Sequence, residues 1–526
     1  MNQRTRRAFL TEVGKGMLVA GLGLSLAHEL GATTTWIDDG PEALSFGSLE
    51  PLVSLLQELP GDRLLPVLVE RLRQGLELRQ LTAAAALANA RTFGGEHYYG
   101  FHVFMALAPA FHMAQELPTE RQPLPLLKVL YRNAHYTQAV GGKASQALKP
   151  VKPGSSSRDA VERLHRTINQ GDRATSEQLL ATMSAQSPEV AFNALLQGVE
   201  DNHDVHSVVL PWRAWAMLEL VGREHAFTLL RQSVRHCAKR SADSKNRLAE
   251  LERARSLVPK LLDQHQLLKN PFGNRIAEDT WIAQLSETIL TASPEQAGEA
   301  VAMALAEGFR PEQVGEAISL AANQLVLRQV TKSEGNDYLW RTHGDSLGVH
   351  ASDTVNAWRN MIRVSQQRHQ AAGLILAAVD VSQSHHWPKR NGKTAFDSQP
   401  FPHPDHVAAI KPSTPAALLK ELDGAVREND QLRACALVQK YSQVSQESRP
   451  VFDLLLGYAI SEDGRLHAEK YYRTVVEEYT TTRQAYRWRH VVGLARVIAS
   501  SYGYSQGDKK EGRAPGYQEA CRLLRV

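Results

Sequence analysis

Ser293-Pro294-Glu295-Gln296-Ala297-Gly298-Glu299-Ala300 returns seventeen residues on as Pro311-Glu312-Gln313-Val314-Gly315-Glu316-Ala317. Both copies open on proline, whose fixed φ suits the first helical position and whose missing N–H is not needed there. Two helices that begin alike this close together form an αα-hairpin. The same grammar holds on either side of it. Leu52, Leu55, Leu56 and Leu59, then Leu64, Leu65, Leu68, Leu72 and Leu76, recur at helical spacing. Ala83 to Ala90 is a strong helix former. Breakers such as Gly94-Gly95, Gly141-Gly142, Pro153-Gly154, Asn270-Pro271, Gly308 and Gly344 punctuate the chain, and alternating β-branched runs are missing. The pattern predicts an all-α fold, a multi-helix bundle or helical-repeat assembly.

A longer self-similarity points to two duplicated halves. Ala86-Leu87-Ala88-Asn89 resembles Leu320-Ala321-Ala322-Asn323, and Ala191-Phe192-Asn193-Ala194-Leu195-Leu196 resembles Val451-Phe452-Asp453-Leu454-Leu455-Leu456. Between these anchors His102 meets His350, His135 meets His385 and His206 meets His467, at offsets that grow in one direction as loop insertions require. The expected organisation is a leader 1–27, halves 28–268 and 269–505, and a terminal segment 506–526. Chance matching of alanine- and leucine-rich helices is the alternative.

The 526 residues carry a formal charge of +4, which would ordinarily raise nucleic acid or a membrane surface as partner. Much of that charge sits at one end. Thr5-Arg6-Arg7-Ala8-Phe9-Leu10 resembles the twin-arginine export motif, followed by the apolar run Met17–Leu26 and the small residues of Ser25-Leu26-Ala27. A short buried helix is the other reading, and the run is too short for a membrane span. Removing residues 1–27 takes away Arg4, Arg6, Arg7, Lys15 and Glu12, leaving +1. The resemblance implies the twin-arginine translocase as partner and a periplasmic or secreted destination, and the nearly neutral remainder argues for no nucleic acid. It also implies a mature chain without a membrane span.

Histidines hold the chemistry. Glu96-His97-Tyr98-Tyr99-Gly100-Phe101-His102 leads into one apolar helix and Asn202-His203-Asp204-Val205-His206 into another. His343-Gly344-Asp345-Ser346-Leu347-Gly348-Val349-His350 leads into a third. Neutral imidazole is the commonest metal ligand near pH 7 and suits iron, copper, zinc and nickel. His97, His102, His203, His206, His343 and His350 are therefore candidate ligands of a metal ion, with iron or copper favoured. His203 and His206, three apart, would share a helical face. Asp204 and Tyr98 are candidate proton-moving groups. His135, His385, His386 and His467 are weaker candidates; His165, His225, His236, His265, His369, His403, His406 and His490 read as caps or hydrogen-bonded core groups. Every one of these histidines also has that bland reading.

The helix-leading histidines resemble those of the questin oxidase-like proteins, large helical oxidoreductases that insert oxygen into polyketide ketones. The likeness spans about residues 80–470, although an export signal departs from that family's pattern. It implies oxidation of a small organic substrate, with His97, His102, His203, His206 and His350 lining the site. A non-enzymatic helical scaffold is the competing expectation. Imidazoles converging in one place favour the first, and dispersed ones the second.

Overall fold

The computed structural model describes residues 44–155, 157–243, 248–331, 342–386, 396–461, 466–503 and 515–526. The leader 1–27 and Trp387 lie outside them. The described residues form helices and no named strand, an all-α assembly as the sequence leads one to expect. No helix among them is long and apolar enough to cross a membrane.

The first eleven helices are α1 (Glu50–Glu58), α2 (Gly61–Arg73), α3 (Leu78–Phe93), α4 (Tyr98–Gln115), α5 (Pro123–Ala139), α6 (Ala160–Asn169), α7 (Arg173–Ser184), α8 (Pro188–Glu200), α9 (Val205–Val221), α10 (Ala226–Asp243) and α11 (Leu248–Gln264). The next eleven are α12 (Asp279–Thr291), α13 (Pro294–Ala306), α14 (Pro311–Arg328), α15 (Leu347–Met361), α16 (Gln367–His385), α17 (Pro415–Arg427), α18 (Gln431–Val444), α19 (Arg449–Ser461), α20 (His467–Thr481), α21 (Trp488–Ser501) and α22 (Pro515–Leu524). Setting aside the short helix Pro404–Ala408, the second set packs as the first does. The pairs α1–α3, α3–α4, α4–α5, α6–α7, α7–α10 and α9–α10 recur as α12–α14, α14–α15, α15–α16, α17–α18, α18–α21 and α20–α21.

Local chemistry repeats with the packing. Two residues past α6 stands Gly171 at φ 75°, and two past α17 Asn429 at φ 58°, left-handed positions that glycine and asparagine tolerate. The next residue, Asp172 or Asp430, caps the following helix by accepting from Thr175 N–H at 3.1 Å or Arg433 N–H at 3.0 Å. The last helix of each set then crosses over. α11 packs on α13 and α16, whereas α22 packs on the equivalent α2 and α5. One continuous apolar core runs through both sets.

Four helices occupy the middle: α4 touches α9 and α20, and α15 touches the same two. α4 is buried without a break from Gly100 to Ala110, the pattern of a helix enclosed on all sides. Each of the four carries a histidine in its first turn or just past it.

Candidate functional site: a four-histidine layer

His102 of α4, His206 of α9, His350 of α15 and His467 of α20 meet at the N-terminal ends of the central helices. His102 Nε2 lies 3.2 Å from His206 Nε2, and His350 Nε2 lies 3.0 Å from His467 Nε2. Ring centroids link the two pairs, at 5.3 Å for His102–His467 and 6.0 Å for His206–His350. Gly-x-His spacing helps to bring His102 and His350 in. A Cβ on Gly100 would lie 2.4 Å from Phe93 Cγ, and one on Gly348 2.6 Å from Val326 N, so only glycine allows these helix starts so close to α3 and α14.

The outer ring nitrogens decide what the inner ones present. His102 Nδ1 is 2.7 Å from the Tyr98 carbonyl, which only accepts, so Nδ1 carries the proton. His206 Nδ1 is 3.4 Å from Asp204 Oδ1. Burial pushes the Asp204 pKa up, yet hydrogen bonding and charge from His206, with the charge of Arg240, hold it well below the usual range. Its carboxylate is therefore an acceptor, and Nδ1 of His206 is also the protonated atom. In the neutral rings both Nε2 atoms then hold lone pairs, aimed at each other across 3.2 Å. Two facing lone pairs repel unless a cation or an added proton lies between them.

An added proton is disfavoured on His102, His350 and His467. The His102 pKa is held well below its ordinary value by burial first, then by the charges of Lys470 and His206. Burial, His206 and Lys470 depress His350 to about 3, and His467 also lies well below the ordinary value because of burial and Lys470. Four helix N-termini add positive potential. A metal ion suits the spacing within each pair, although no three donor atoms of the layer lie mutually within 4.8 Å. Two imidazole nitrogens at ~2.0–2.1 Å from one ion stand ~3–3.4 Å apart, which matches the separations of 3.2 and 3.0 Å. Nδ1–H bonds to a carbonyl and a carboxylate are the supports that metal-binding histidines ordinarily use.

One turn further along lie Lys470 and Asp353. Burial lowers the Lys470 pKa to about 8 and raises that of Asp353, which accepts from Thr474 Oγ1 at 2.7 Å. Beyond them the same four helices line a cleft of about 750 Å³ whose walls include His112, Trp212, Arg213, Trp215, Asn356, Arg473 and Glu477. The central helices thus run in one direction, from the histidine layer to the cleft.

Other sequence candidates lie differently. α9 begins at Val205, so His203 precedes the helix and shares no helical face with His206; its Nδ1 instead meets Asp380 Oδ1 at 2.7 Å. His97 caps α4, its Nδ1 accepting from Gly100 N–H at 3.1 Å, and its ring stacks on Phe93. His343 is buried in the turn before α15, its N–H donating to Ser500 Oγ at 2.9 Å. Tyr98 borders the layer, 4.4 Å from the His102 ring, and is 48% exposed. Asp204 stands behind His206 as the N-cap of α9.

His467 joins the layer although the sequence ranked it lower; its register with His206 was the available signal. Lys470, Asp353 and Arg213 escaped notice, each three or seven residues beyond a layer histidine on its helix. Among the described residues, His403, Asp405 and His406 are the set of three donors mutually within 4.8 Å. Parallel stacking of Phe401, His403 and His406 accounts for their approach. No protein-family model, no curated protein and no solved structure matches the chain.

Proposed function

We propose that His102, His206, His350 and His467 hold a redox-active metal ion, iron or copper, in an exported oxidoreductase that acts on a small organic substrate. The observation that carries this reading is the convergence of four imidazoles in one layer, with Nε2 of His102 3.2 Å from Nε2 of His206 and Nε2 of His350 3.0 Å from Nε2 of His467. A bound ion would supply electron transfer or oxygen binding, as all-imidazole sites do for these metals. The chain's own part is to keep His102, His350 and His467 neutral through burial and Lys470, to orient His102 and His206 through Tyr98 O and Asp204, and to exclude bulk water. Imidazoles converging in one layer favour this reading over a non-enzymatic helical scaffold. The twin-arginine motif fits the same reading, since that route would carry a protein already folded around its ion.

Metal analysis of protein recovered from the periplasmic fraction, isolated without chelators, tests both parts. About one equivalent of iron or copper is expected, lost when all four histidines are changed to alanine. Metal-free exported protein would sink the metal centre, and metal-bearing protein confined to the cytoplasm would sink the export.

A further inference from the structure

The cleft beyond the histidine layer contains a charge that the fold leaves unanswered. Arg213 projects from α9 seven residues after His206, two helical turns and about 10 Å along the axis. It is only 4% exposed and lines the cleft. Among the described residues it makes no hydrogen bond or ion pair, and its Nε is buried without a partner. Burial lowers its pKa, with Glu477 and Asp353 nearby pulling it up.

Those neighbouring acids are engaged elsewhere. Glu477 accepts from Arg473 Nε at 2.7 Å and from Asn360 Nδ2 at 3.0 Å. Glu478 takes Asn356 Nδ2 at 3.0 Å and pairs with Arg359. Asp353 takes Thr474 Oγ1 at 2.7 Å, and burial biases it toward the neutral acid. Buried guanidinium groups are ordinarily paired, because desolvation without a partner is strongly unfavourable. Cleft cations with partners, Arg359 and Arg473 among them, show that the chain supplies carboxylates where it needs them.

We propose that the cleft binds a small organic acid, whose carboxylate forms the missing pair with Arg213. Guanidinium presents a planar fork that matches a carboxylate. Trp212, Trp215, Ala108, Leu218 and Val476 give the cleft an apolar wall for the rest of the molecule. An inorganic oxyanion would use the fork and leave that wall bare. The inference deepens the oxidoreductase reading by naming its substrate class, and rests on that reading only for the step from ligand to substrate.

The experiment is calorimetric titration of the full-length protein, metal-loaded and metal-free, with benzoate, hexanoate, benzyl alcohol and inorganic phosphate. Benzoate or hexanoate is expected to bind in both metal states, and benzyl alcohol and phosphate at least tenfold more weakly. Arg213→Met should weaken the carboxylate about ten- to hundredfold, the usual scale of a lost charge-assisted hydrogen bond. If that variant does not fold, Arg213→Lys keeps the charge without the fork and should weaken binding in the same direction. Arg223→Met, which removes an arginine paired with Glu189 at the cleft's edge, should bind as the wild type does. Carboxylates that do not bind, or that bind equally well without Arg213, overturn the proposal, and phosphate that matches benzoate overturns its organic part. Because binding is read in the metal-free protein too, its failure leaves the metal centre standing, and loss of the metal centre leaves the binding result intact.

Discussion

His490 of α21 shows how a single imidazole registers its surroundings. It is buried, with Nε2 3.2 Å from Thr482 Oγ1, and burial together with Arg359 and Arg489 lowers its pKa from 6.5 to about 3. The unfolded chain therefore takes up this proton near pH 6.5, whereas the folded protein resists it down to about 3. Stability from this group is complete above pH 6.5 and declines as the pH falls toward 3, by up to about 1.4 kcal/mol per pH unit. In urea unfolding at pH 7 and pH 4.5, His490→Gln should lose less stability between the two than the wild type. Equal losses would show that His490 stays unprotonated in neither state. Reading the sequence placed His490 among structural groups and His102, His206 and His350 among ligand candidates. His467 was harder to rank because its helix starts without a polar cap: Leu466 occupies the preceding position at φ 65°. Arg213 was invisible for another reason, since an arginine's lack of a partner is a property of three dimensions alone.

Helices were the most legible level. Ser293 caps α13 as its Ser-Pro start implies, accepting from Gln296 N–H at 3.3 Å while Gln296 Oε1 accepts from Ser293 N–H at 3.1 Å. Yet the repeated Pro-Glu-Gln starts fall on α13 and α14, which match α2 and α3 rather than each other, so that likeness is helix-start grammar. Glycines separate elements that must touch from those that need not. A Cβ on Gly348 would meet Val326 backbone at 2.6 Å, whereas one on Gly424 in α17 meets nothing within 4 Å. Gly348→Ala is expected to destabilise by about 1–3 kcal/mol through overpacking, and Gly424→Ala to stabilise by about 0.5–1 kcal/mol through helix propensity. Thermal melts of the two variants decide this. A Gly348→Ala protein as stable as the wild type would mean that α15 can slide from α14 freely.

At the scale of the molecule, the exchange of end helices adds a second tie between the two sets, beside the central helices. α22 covers α2 and α5: Gly516 abuts Tyr131, Tyr517 is 3% exposed, and Arg73 donates to the Leu523 carbonyl at 3.0 Å. A chain ending at residue 503 should lose amide-exchange protection in α2 and α5, far along the sequence, while α18 and α21 keep theirs. Tyr517 alone contributes about 1.5–3 kcal/mol of burial. Unchanged protection in α2 and α5 would refute the coupling. Such exchange was not legible in the sequence, because α11 and α22 have ordinary amphipathic patterns that do not say which set they cover.

A ribosome makes α22 long after α2 and α5. Until residues 515–526 emerge, α2 and α5 lack the helix that covers them. These two early helices therefore cannot mature in the order of their synthesis; they wait for a segment made far later.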